Sequence, residues 1–142
     1  MYRSLLFLLA LCSSSFSYAH GKDCEQTTLN TQMQEMQISF KALKTSILTE
    51  EWERANELSG QLRALSQESL NERPELLHDI YDIERKDKEL SAYQSNLRKL
   101  DRLLDKLARQ AEAKNSDEMK ILYSDIDTLV KESHARFNRK CK

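Results

Sequence analysis

Apolar residues recur along this chain at alternating steps of three and four, the spacing of a helix that buries one face. The first such stripe reads Leu29, Met33, Met36, Phe40, Leu43 and Ile47 and predicts a helix over about residues 25–48. Thr49, followed by Glu50 and Glu51, has the form of an N-cap with acids in the next first turn. Trp52, Ala55, Leu58 or Ser59, Leu62 and Leu65 then carry a second helix to about Leu70. Gly60 lies inside it, a small cost in helix stability and room for a close neighbour.

Asn71-Glu72-Arg73-Pro74 interrupts the pattern, because a residue before proline is pushed out of the helical region. The stripe returns as Leu76, Ile80 and Ile83, lapses around Arg85, Lys86, Asp87 and Lys88, and resumes from Leu90 through Tyr93, Leu97, Leu100, Leu104 and Leu107 to Ala111. The lapse reads either as a bend before the third helix or as one polar layer in a single helix over 75–113. Ser116 or Asp117 caps a fourth helix, whose stripe is Ile126, Val130, His134 and Phe137, with Met119, Leu122 and Leu129 widening the face. Four amphipathic helices joined by short turns predict an all-α fold, an antiparallel up-down-up-down four-helix bundle. The rival is an extended helical hairpin or coiled coil that completes its core by dimerising.

Composition agrees with long helices: 32% of the residues are charged, and the chain has two glycines and one proline to punctuate it. Ahead of the first stripe stand a basic Arg3, an apolar run from Leu5 to Leu11, and Ser17-Tyr18-Ala19 as a small-x-small cleavage site. This reads as a signal peptide over 1–19, cut after Ala19 and too short to span a bilayer, leaving one domain over 20–142. Without Arg3, 21 basic and 23 acidic residues leave a net charge of −2. Nothing in that balance points to nucleic acid or to a stable membrane anchor.

Removal of Cys12 with the signal leaves Cys24 and Cys141, one at each extremity. An oxidising compartment and termini at the same end of a bundle favour a bridge between them, and two unpaired thiols on frayed ends are the alternative. Counted inward from these cysteines, Met33 and His134 lie at depths of ~13.5 and ~10.5 Å on the first and fourth helices, which adjoin in such a bundle. A thioether and a buried imidazole at similar depth are a donor pair that suits the iron of a haem. A stripe methionine is most often core filler, and a histidine on an apolar face needs only some polar partner. His78 is expected to be exposed. His20, as a new N-terminus, is a weaker candidate for copper, as are Met33 and Met36. There is no Cys-x-x-Cys-His for covalent haem, no glycine-rich phosphate loop and no zinc spacing.

The stretch from Met33 to Leu43, Met-Gln-Glu-Met-Gln-Ile-Ser-Phe-Lys-Ala-Leu, together with Ser133-His134-Ala135-Arg136-Phe137, resembles the cytochrome b562 family. That family is itself a standard example of the four-helix bundle. The resemblance implies haem b held non-covalently, with Met33 and His134 as axial iron ligands. It places the pocket-lining positions at Met36, Tyr93, Leu97 and Phe137. Val130 and Ser133 stand where the related cytochromes c′ carry haem-linking cysteines, and Asn138 stands where a basic residue often follows the final aromatic. The function implied is periplasmic electron transfer by a non-enzymatic monomer serving a redox partner protein. The rival is a haem-free exported bundle or coiled coil acting as a chaperone, sensor or other interaction protein, which the long heptad from Leu90 to Ala111 would suit.

Overall fold

Thr27 starts the first helix: its Oγ1 accepts the backbone N–H of Asn30 at 3.2 Å, satisfying one of the four donors a helix start leaves free. The computed structural model describes residues 27–137. Within that span are four α-helices, α1 (Thr28–Leu48), α2 (Trp52–Glu68), α3 (Ile83–Glu112) and α4 (Ser116–Phe137). The signal segment, His20, Cys24, Cys141 and Asn138 lie outside the described residues, and with them the proposed bridge.

The α1–α2 and α3–α4 turns share one design. Glu50 and Lys114 each adopt a left-handed backbone, with φ of 59° and 54°. In the first turn Glu51 N–H donates to Ser46 O at 2.9 Å and Glu50 N–H to Ile47 O at 3.4 Å. In the second, Asn115 N–H donates to Gln110 O at 2.9 Å and Lys114 N–H to Ala111 O at 3.0 Å. Each pair occupies carbonyls that the helix end would leave bare and reverses the chain within three residues. Two cap expectations are thereby corrected. Thr49 closes α1, its hydroxyl donating to Thr45 O, because the left-handed residue after it ends one helix before the next begins. Asn115, not Ser116 or Asp117, caps α4 by accepting Glu118 N–H at 3.3 Å.

The α2–α3 connection is longer. A 3-10 turn at Ser69–Asn71 leads to Pro74, and a second 3-10 turn at Glu75–Asp79 buries Leu77. The chain is then extended until Asp82, whose carboxylate accepts Arg85 N–H at 2.7 Å and starts α3. The break therefore precedes the charged run, and Arg85–Lys88 lie in the mostly exposed first turns of one continuous helix. Neither a bend at Asp87 nor a helix unbroken from Glu75 is present: the Asp82 cap sets the start.

The stripes pack as a closed ring, α1 on α2, α2 on α3, α3 on α4, and most loosely α4 on α1. Leu43, Leu58, Leu104, Leu107, Met119 and Ile126 are fully enclosed at the centre. Arg63 of α2 reaches Asp101 and Asp105 of α3 at 3.2 and 2.8 Å across the tightest seam. Gly60 faces open space rather than a close neighbour, since nothing lies within 4 Å of where its Cβ would be. In α1 the residues Leu29, Met36 and Leu43 are buried, whereas Met33 and Phe40 are half-buried. That second row lies along the loose seam with α4.

Candidate functional site

The weak α1–α4 contact leaves a cavity of about 400 Å³, partly open to solvent. Its floor is apolar: Leu97, Leu100 and Leu104 of α3, Leu62 of α2, and Leu129 and Val130 of α4. Pro74 and Glu75, from the α2–α3 connection, line its end nearest the start of α1 and the finish of α4. A small core cluster of Leu29, Tyr93, Leu97 and Phe137 supports that end. Tyr93 and Phe137 meet edge to face at 5.6 Å, a favoured aromatic geometry.

Met33, Met36, Tyr93, Leu97, His134 and Phe137 all line this one cavity. Met36, Tyr93, Leu97 and Phe137 are buried and Met33 half-buried. His134 departs from the expectation of a buried imidazole: it is exposed at the rim, because the last turns of α4 stand beside the open seam. Among the described residues nothing hydrogen-bonds its ring, so both its nitrogens are free. His78 is exposed, as read from the sequence.

Depth can be registered on a ring stack that spans the seam. Phe40 of α1 and Tyr123 of α4 lie 4.6 Å apart with 15° between their planes. From that level, Met33 is seven residues and His134 eleven residues toward the bundle end, or ~10.5 and ~16.5 Å of helical rise. The two donors are thus offset by about one turn on facing walls. The stack escaped the sequence reading, although Tyr123, Val130 and Phe137 stand seven apart and mark a row beside the one chosen.

Polar ties fix the walls. Asn96 of α3 donates to Ser133 Oγ at 2.8 Å, and both residues line the cavity. Arg136 holds Glu89 through two contacts of 2.9 and 3.1 Å and lies 5.3 Å from the Phe137 ring centre. That hydrogen bond lowers the Glu89 carboxyl below its ordinary value and raises the Arg136 guanidinium. Tyr93 donates its hydroxyl to Ser69 O at 2.9 Å, and burial, with the nearby Glu72 charge, pushes its phenol well up. Burial and the Asp127 charge also raise Tyr123. No group of three or more His, Cys, Asp or Glu side chains among the described residues could hold a bare metal ion. A thioether and an imidazole on an apolar cavity fit a metal that brings its own planar ligand, such as haem iron.

The sequence pattern of the cytochrome b562 family matches residues 28–138, almost the whole of the described bundle. The chain belongs to the cytochrome b562 family. No curated protein and no solved structure matches it significantly. Membership agrees with the four-helix architecture, and the family is one of haem-binding electron-transfer bundles. No described helix is long and apolar enough to cross a membrane.

Proposed function

We propose that the protein is a periplasmic electron carrier that holds haem b non-covalently between α1 and α4, with Met33 Sγ and one His134 ring nitrogen as axial ligands. The observation that carries this reading is a thioether and a free imidazole on one apolar cavity, in a chain of the cytochrome b562 family. Bound haem supplies one-electron iron chemistry, with methionine–histidine ligation favouring a relatively high potential. The chain's own residues do the rest. Met33 and His134 would hold the iron from the two facing walls, which would leave it no open site for a substrate and suit a carrier rather than an enzyme. Met36, Tyr93, Leu97 and Phe137 keep water from the buried face, and the polarity of that shell tunes the potential. The edge-on Tyr93–Phe137 contact and the Arg136–Glu89 pair hold the turn of α4 that carries His134. Export rests on Arg3, the Leu5–Leu11 run and the Ser17-Tyr18-Ala19 site.

Titration of the processed chain with hemin tests the assignment. A Soret band that survives desalting is expected, with Met33→Ala converting the spectrum to high spin and His134→Ala weakening retention. A chain that stays colourless and rejects hemin overturns the proposal.

A further inference from the structure

The cavity is electrically lopsided along its length. On α1 its rim is a polar row, Asn30, Gln37, Lys41 and Lys44, beside the apolar row of Met33, Met36 and Phe40. Toward the bundle end the rim is neutral or acidic: Asn30 donates to Glu75 at 3.2 Å, and Glu75 lines the cavity there. Near the Phe40–Tyr123 stack it is cationic. Lys41 and Lys44 are one turn apart and exposed, and neither forms an ion pair among the described residues. Asp127, the acid that lines the cavity on α4, stands one turn from the stack toward the bundle end and is already held by Lys131 at 2.5 Å. Lysine side chains on a helix lean toward its N-terminus, which here is back toward Met33. Their stems can lie along the apolar wall while the ammonium groups stay at the open rim.

We propose that Lys41 and Lys44 receive the anionic edge of the cavity's ligand, so that haem enters with its two propionates toward the Phe40–Tyr123 stack and its apolar edge toward Tyr93 and Phe137. The inference rests on the haem reading above and adds an orientation to it. The physical ground is charge complementarity. Two carboxylates placed at the Glu75 end would face a like charge, whereas at the lysine end they meet two cations without another partner. The assignment makes the two lysines specificity residues for a dianionic ligand, distinct from the residues that hold iron.

Equilibrium binding of hemin and of hemin dimethyl ester, in the full processed chain and in K41Q/K44Q, isolates this contribution, since the ester keeps the iron and loses both carboxylates. The wild type is expected to prefer hemin over the ester by about thirtyfold, as two exposed charge pairs at the upper end of their usual range would give. K41Q/K44Q should lose that preference and leave ester binding unchanged, and K41R/K44R should restore it. Circular dichroism of the ligand-free proteins should be the same for all three, because both lysines are exposed. An equal preference for hemin in wild type and K41Q/K44Q overturns the orientation while leaving the haem reading standing. Failure of the wild type to bind either porphyrin removes the haem reading and the orientation with it.

Discussion

Tyr93 shows how a single side chain can serve both the fold and the cavity. Its ring lines the cavity and abuts Phe137, while its hydroxyl turns away to Ser69 O, tying α3 to the end of α2. A buried phenolate would lose both its hydration and that donated hydrogen bond, so folding favours the neutral form. The folded phenol therefore titrates above the ordinary value of 10 that the unfolded chain retains. The sign follows: this stability is complete below pH 10 and is lost as pH rises through 10 toward the folded value, because only the unfolded state releases its proton there. Tyr93→Phe should cost about 1 kcal/mol at pH 7 by leaving Ser69 O short of a donor, and it should flatten the alkaline fall. Urea unfolding at pH 7 and pH 10.5 measures both, and an unchanged alkaline slope in the variant counts against the assignment. Residue identity was legible at Tyr93 from its heptad position. Exposure was not legible at His134, because an apolar stripe says which face a residue shares and not whether the opposite helix closes over it.

At the scale of elements, the sequence pattern located the stripes but misread how they begin and end. Both tight turns put a charged residue where glycine is the usual choice, so Glu50 and Lys114 gave no glycine signal, and Thr49 and Ser116 drew the caps to themselves. The Ser116 hydroxyl is in fact buried with no hydrogen-bond partner among the described residues. The Asp82 cap explains why the lapse at Arg85–Lys88 was ambiguous, since an exposed first turn and a polar layer look alike in sequence. These features give an element-level test in two opposite substitutions. Lys114→Gly relieves a left-handed backbone that L side chains tolerate poorly and should stabilise by about 0.5–1 kcal/mol. Gly60→Ala adds a methyl into open space within an exposed stretch of α2 and should stabilise by a similar amount. Thermal melts of the two single variants and the double should show additive gains, as the sites share no contacts. A loss of stability in Gly60→Ala would mean that the open space is filled in solution.

The whole molecule is unevenly tight, and the unevenness leaves the cavity. Three of its four seams pack closely, with Arg63 clamped to Asp101 and Asp105 across α2 and α3, whereas α1 and α4 touch far less, at the Phe40–Tyr123 stack among other places, and bracket the cavity. Helix count and antiparallel order were legible because heptads and short turns dictate them. The loose fourth seam was not, because the stripes of α1 and α4 are as apolar as the others and nothing in their spacing records a gap. A gap of this kind lowers the local cost of opening. In the ligand-free protein, amide hydrogen exchange should therefore be slowest in the central turns of α2 and α3. It should be fastest, within helices, from Leu29 to Gln37 of α1 and from Val130 to Phe137 of α4. A ligand that fills the cavity stabilises only the folded form, and does so most where its contacts lie. Saturating hemin should accordingly slow exchange in those two segments by an order of magnitude or more, while the α2–α3 seam gains only the global increment. Equal protection along all four helices before hemin, or a uniform gain after it, would mean that the fourth seam is as tight as the rest and that porphyrin binds elsewhere.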